Sequence, residues 1–372
     1  MPQANTRRAG AGCALLIALG LAPYQAGAAD LAGIPVFGKV TTKIENDYSL
    51  REGSGSDKTR GNNLYAEIEP ELTIKPTANL AIEMGAKLEQ VQDRQVGDYQ
   101  YFAHEGAYIS TLQAVYDLGG VAFNAGKFTA PFGFAPDDAV GLFGDTFMED
   151  YELTERLGGG VATELPIKGV ATVGMAVSAF TRDRTSLSRT ALTMRPVLSR
   201  HDGGPGNTEG PASWSAVVDV DKIAAVPDLH LKASYLSQTA GENDPKDQRA
   251  WGLGFEYAKA FEAGFSVRPM AEYVRSHGGS GFNEATGGLG VAEDILTAGV
   301  GVGYDRWNAS LAWGQRHIEA AGQASADDTF WQVGLGYAFV EGFAIDAAYG
   351  YLEEAGVPSR TVGIRLKHAF EF

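Results

Sequence analysis

The chain has 372 residues, 48 of them glycine, with 44% hydrophobic and 10% aromatic residues and a formal net charge of -16. Such an acidic balance excludes the basic surface that a nucleic-acid partner requires. The one cysteine, Cys13, excludes an internal disulfide framework, so packing and hydrogen bonds have to hold the fold.

Arg7 and Arg8 precede an apolar run over residues 11–22, followed by Pro23 and the small residues Ala26-Gly27-Ala28. This pattern predicts a secretory signal peptide over residues 1–28 with an A-x-A cleavage site, leaving one domain over residues 29–372. The run is shorter than the roughly 18 apolar residues that a spanning helix needs.

Beyond it, period-two alternation predicts strands. In the first, Val36, Gly38, Val40, Thr42 and Ile44 share a face against Lys39, Lys43 and Glu45. The second sets Leu64, Ala66, Ile68, Leu72 and Ile74 against Glu67, Glu69 and Glu71, and Pro70 predicts a bulge because it lacks a ladder donor. The third sets Leu80, Ile82, Met84, Ala86 and Leu88 against Glu83, Lys87 and Glu89. A dry core could not hold three walls of charge, whereas a wet lumen can.

Strands four and five are expected over residues 103–116 and 121–128, followed by a long segment at 129–157. Strands six and seven flank Pro166-Ile167-Lys168. A second long loop, residues 181–212, carries Arg182, Arg184, Arg189, Arg195 and Arg200, which solvate it or meet lipopolysaccharide phosphates. Strands eight and nine cover 213–221 and 229–237, and seven more run to the end of the chain. Tyr257, Phe261, Tyr304, Trp307, Tyr337, Phe339 and Phe343 stand beside short turns, and Trp251, Tyr273, Trp331 and Tyr351 beside loops, as two lipid-headgroup girdles would. The expected fold is all-β: a transmembrane antiparallel β-barrel of sixteen strands, with long extracellular loops and short periplasmic turns.

The last stretch, RTVGIRLKHAFEF, places Val362, Ile364, Leu366, Phe370 and Phe372 on one face, with His368 departing from its apolar character. It resembles the closing strand of bacterial outer-membrane β-barrels. The resemblance implies that Phe372 belongs to a signal read by the outer-membrane assembly machinery and that the last strand pairs with the first.

Gly126-Lys127-Phe128-Thr129-Ala130-Pro131-Phe132-Gly133 resembles the G-K-x-x-x-P-F-G segment of phosphate-selective-type porins and of siderophore porins related to legiobactin uptake, and residues 145–160 are similar in character to an acidic segment of the latter group. The motif residues are Gly126, Lys127, Pro131, Phe132 and Gly133. The resemblance implies a Gram-negative outer-membrane porin, expected as a homotrimer amid outer-membrane lipid and lipopolysaccharide, in which the segment 129–157 folds inward as the pore constriction.

The chemistry of that segment is legible independently. Asp137, Asp138, Asp145, Glu149, Asp150, Glu152 and Glu155 face only Arg156, a local charge of -6. Fixed carboxylates favour cations over anions in a narrow channel; a solvated acidic loop or a calcium-stabilised loop is the plainer alternative. Lys39, Lys43, Lys87, Lys127, Arg268, Arg316, Arg365 and Lys367 are expected to form a lumenal basic wall. Three readings follow: a cation-preferring porin for passive diffusion, a ligand-specific porin for a ferric siderophore or another anion, and a barrel-type hydrolase. No G-x-S-x-G supports the third, and His104, His201, His230, His277, His317 and His368 show no metal-ligand spacing.

Overall fold

The computed structural model describes residues 29–31, 33–53, 59–262, 264–279, 291–320, 322 and 324–372; the expected signal segment, residues 1–28, lies outside the described residues. Sixteen long strands follow the alternation: β1 (Ile34–Glu52), β2 (Thr59–Ile74), β3 (Leu80–Gln90), β4 (Glu105–Asp117), β5 (Val121–Ala130), β6 (Leu153–Ile167), β7 (Ala171–Arg182), β8 (Ser213–Asp221), β9 (Leu229–Gln238), β10 (Gln248–Tyr257), β11 (Phe265–His277), β12 (Val291–Tyr304), β13 (Trp307–Ala320), β14 (Ala326–Val340), β15 (Phe343–Glu354) and β16 (Val357–Glu371). Each pairs antiparallel with the next. β16 then pairs with β1, from Lys39↔Glu371 to Arg51↔Arg360, and closes the sheet. Closure satisfies the backbone groups that an open edge would leave bare in lipid.

The alternation sorts the two faces. Inward Glu272, Arg316 and Gln332 are at most 2% exposed, whereas outward Leu253, Leu311 and Leu335 are 53–54% exposed. A continuous apolar outer band around a polar interior is what a lipid solvent selects. Among the described residues no helix is long and apolar enough to cross a membrane.

One rim carries the connections 75–79, 118–120, 168–170, 222–228, 258–264, 305–306 and 341–342, and the other carries the longer ones, above all 91–104, 131–152 and 183–212. Aromatic pairs mark both levels: Trp307–Tyr337 at 4.7 Å near the short turns, and Trp251–Tyr273 at 5.3 Å near the loops. His368 sits in the short-turn girdle between Phe343 and Phe370. The bulge expected at Pro70 is instead a gap: the β2–β3 ladder loses its pairs beside Glu69 and Pro70 but keeps the same register on both sides.

The seam is fastened by Phe372 and Gly38, whose amides each donate to the other's carbonyl at 2.9 Å. The Phe372 ring occupies the space into which a Cβ at Gly38 would project. Gly38→Val is therefore expected to displace the ring and lower stability by about 1–3 kcal/mol. The heat-modifiable electrophoretic shift of the refolded barrel measures this, and an unchanged midpoint would refute it.

Candidate functional site

The segment between β5 and β6, residues 131–152, turns into the barrel and runs along the inner surface of its far half. Gly133 starts the turn with φ 62°, a conformation that glycine accepts readily. Beyond it, Phe132, Phe134, Val140, Phe147, Met148 and Tyr151 pack with Met270, Val274, Ile295, Ala312 and Phe330 of the wall. This apolar cluster lies inside the barrel, so half of the lumen is a packed core.

Four wall side chains hold the loop's backbone, among them Ser234, whose hydroxyl accepts from the Gly133 amide at 3.2 Å. Glu272 accepts from the Phe134 amide at 2.9 Å and from the Tyr151 hydroxyl at 2.6 Å, tying the two ends together. Gln332 accepts from the amides of Leu142 and Phe143 at 3.1 and 3.2 Å and donates to the Val140 carbonyl at 2.9 Å. Arg268 donates to the Ala139 carbonyl at 3.2 Å. Glu272→Gln keeps an acceptor but weakens a charge-assisted latch, and is expected to cost about 1–3 kcal/mol. Single-channel recordings should show added current noise as the loop loosens; a trace as quiet as wild type would count against the latch.

The wall is bare where the loop lies against it. A Cβ at Gly254 would stand 2.5 Å from the Phe134 ring, one at Gly299 2.9 Å from Val140, one at Gly350 2.8 Å from Phe143, and one at Gly363 2.5 Å from Phe143. These glycines of β10, β12, β15 and β16 are the seat of the inward segment. Glycine inside a strand marks the close approach of another segment, and was the signal for it.

The open half of the lumen holds a cavity of about 880 Å³ between the loop, β1–β4 and β16. Twelve carboxylates line it against four cations, Lys43, Lys87, Arg94 and Arg365. Of the loop acids, Asp137, Asp145, Glu149, Glu152 and Glu155 contribute to this lining. Asp138 is 2% exposed and accepts from the Ala135 amide, and Asp150 pairs with Arg316. Glu155 already belongs to β6. The sequence reading missed Glu45, Asp47 and Asp93 as partners of the loop, although parity had placed Glu45 inward.

The eight expected wall cations divide three ways. Lys43, Lys87 and Arg365 face the cavity, interleaved with acids: Lys43 is 3.3 Å and Lys87 3.2 Å from Glu67, Lys87 is 2.9 Å from Glu89, and Arg365 is 3.9 Å from Glu45. Lys39 and Lys367 lie towards the short-turn rim, opposite Glu371 and Lys43. Lys127, Arg268 and Arg316 are structural partners, Arg316 meeting Asp150, Asp328 and Glu354.

Lys127 explains the motif. Its ammonium is wholly buried, 2.7 Å from Glu155, 2.9 Å from Asp183 and 2.8 Å from the Ser188 hydroxyl, and it joins β5 and β6 to the loop 183–212. Gly126, at φ 141°, is required because a Cβ there would meet the Leu112 carbonyl. A second cavity of about 510 Å³ opens beside this cluster, lined by Asp150, Glu152, Glu155, Arg156, Arg182 and Arg195.

Enclosure tunes the loop acids. Burial, reinforced by Glu45 and only partly offset by Arg365, pushes the Asp145 carboxyl up to about 6. Burial, with Glu149 and Asp137 beside it and Lys87 opposing, pushes Glu152 up to about 7. Among the described residues no group of three His, Cys, Asp or Glu side chains is arranged to hold a metal ion. His230, His201 and His317 are engaged by Asp219, Glu242 and Asp327.

No family model and no curated protein matches the chain. Solved structures do share its architecture. The outer membrane channel DcaP of Acinetobacter baumannii aligns with a TM-score of 0.59 at 13% identity over 93% of this chain and 100% of that one. OmpF of Salmonella typhi in complex with daunomycin gives 0.58 at 11% over 91% and 97%. OprB of Pseudomonas putida gives 0.57 at 10% over 90% and 94%. At such identities the likeness is one of fold. That fold and the lipid-facing band make the chain an integral outer-membrane β-barrel.

Proposed function

We propose that the protein is a porin: a water-filled channel for passive diffusion of small hydrophilic solutes and ions, with preference for cations. The observation that carries the preference is the lining of the lumenal cavity, twelve carboxylates against four cations. In a narrow lumen with low-dielectric walls, fixed negative charge lowers the energy of a passing cation and raises that of an anion. The five loop-region acids that line the cavity, Asp137, Asp145, Glu149, Glu152 and Glu155, are the proposed selectivity determinants, and the inward loop the proposed constriction. The same lining disfavours the ligand-specific reading for a ferric siderophore or another anion, which would need an arginine- and lysine-lined path. The reading gives the barrel no catalytic step. A homotrimer is proposed with it, OmpT of Vibrio cholerae having a trimer form, together with lipopolysaccharide and the assembly machinery as partners.

The test is the reversal potential of refolded protein in a planar bilayer under a salt gradient. Cation-selective current supports the proposal. Anion selectivity would move the assignment to the ligand-specific reading, and a bilayer that stays at baseline would remove the porin altogether.

A further inference from the structure

A second charged feature lies on the outer face, at the seam where β16 meets β1. Arg51 and Arg360 are direct cross-strand partners, and residues directly opposite in an antiparallel pair share a face. That face is the outer one: Arg360 is also opposite Tyr351, whose neighbour Gly350 faces the lumen against Phe143. On the next strand Thr59 is opposite Glu52, which is buried and held by Arg94. Parity then turns Arg60 outward. Three arginines thus stand on three adjacent strands, about 5 Å apart from strand to strand.

Nothing in the described protein neutralises them. None of the three makes a hydrogen bond or ion pair among the described residues, and Nε of Arg51 is buried without a partner. Glu353, on the same face, accepts from the Tyr351 hydroxyl. Like charges directly opposite on a sheet are destabilising, so the cluster calls for an external anion. Guanidinium forks match tetrahedral oxyanions that accept from several donors at once.

Position decides where that anion comes from. The row stands at the loop-rim girdle, where Trp331 stacks on Tyr351 at 5.9 Å, with exposed Ile44 and Ile364 further along the same outer faces towards the membrane. Aromatic girdles sit at the headgroup level. We propose that Arg51, Arg60 and Arg360 bind the phosphate monoester of a lipid headgroup in the leaflet surrounding the loop rim. The inference rests on the membrane reading but not on the pore's selectivity.

The test titrates the full refolded chain in detergent with phosphatidic acid, with diacylglycerol and inorganic phosphate as separate arms, and counts bound lipid by native mass spectrometry. The triple variant R51Q/R60Q/R360Q is expected to lose at least tenfold in phosphatidic acid affinity. R249Q, at the same rim on β10, keeps wild-type affinity, and diacylglycerol does not bind. Without lipid the triple variant should be at least as heat-stable as wild type, because a like-charge cluster has been removed. Undiminished binding by the triple variant, or an equal loss in R249Q, overturns the proposal. Inorganic phosphate that matches the lipid's affinity overturns the headgroup assignment. Conductance of the same variants is read in parallel, and wild-type current alongside lost lipid binding separates this site from the pore.

Discussion

Lys127→Met is expected to destabilise the barrel by about 3–5 kcal/mol, because it removes one partner of a buried charge cluster and strands the others. The ammonium contacts Glu155 and Asp183 at 2.7 and 2.9 Å, and the Asp183 side chain is itself fully buried. Methionine fills a similar volume, so a cavity contributes little and the loss reports the electrostatics. The pH dependence has a definite sign. Burial opposes ionisation of Asp183, but hydrogen bonds from Ser188, Thr185 and Lys127 outweigh it and hold its carboxyl below the usual range. Its stabilising contribution is therefore present above the ordinary aspartate value near 4 and is lost as pH falls through the depressed folded value. The stability gap between wild type and variant should narrow towards acid. Denaturant unfolding of refolded barrels at several pH values measures both effects, and a cost below about 1 kcal/mol at neutral pH would contradict the assignment.

Neutralising Asp145, Glu149 and Glu152 together is expected to reduce the cation-to-anion permeability ratio by roughly tenfold, the equivalent of about 1.4 kcal/mol. All three line the same cavity. Their charges act across a few ångströms, where salt screens them only partly. Protonation should mimic the substitutions. The Asp145 and Glu152 carboxyls, raised to about 6 and about 7, lose charge as pH falls from 8 to 5. Wild-type selectivity should weaken over that window, and the D145N/E149Q/E152Q variant should change less. Reversal potentials of the two proteins at both pH values provide the comparison; selectivity that is equal in both and flat with pH would place the selective charges elsewhere.

The strands were legible because a two-residue period survives in a barrel wall: Trp331, Val333 and Leu335 announce a lipid face without any tertiary information. The acidic loop was legible as charge. What the sequence withheld is which inward groups meet across the lumen, since partners such as Lys127 and Asp183, or Glu272 and Tyr151, are far apart in the chain and joined by paths that parity does not specify. The expected basic wall suffered most. Parity turned Lys43, Lys87 and Arg316 inward, but only the register and the loop's path set Glu67, Glu89 and Asp328 against them. Gly299, Gly350 and Gly363 offer the alternation no side chain to read, and their meaning emerges only once Val140 and Phe143 are seen lying on them.

That seat has a consequence for the order of assembly. Phe132, Phe134, Phe143 and Phe147 belong to a segment that emerges in the chain before every strand from β9 to β16 that receives it. Until those strands have paired, the four rings have no wall to lie on, and contacts so distant in sequence form only after their long intervening chain has been ordered. Docking of the inward segment is thus a late step, completed near ring closure, and the newly exported chain must travel with these rings uncovered.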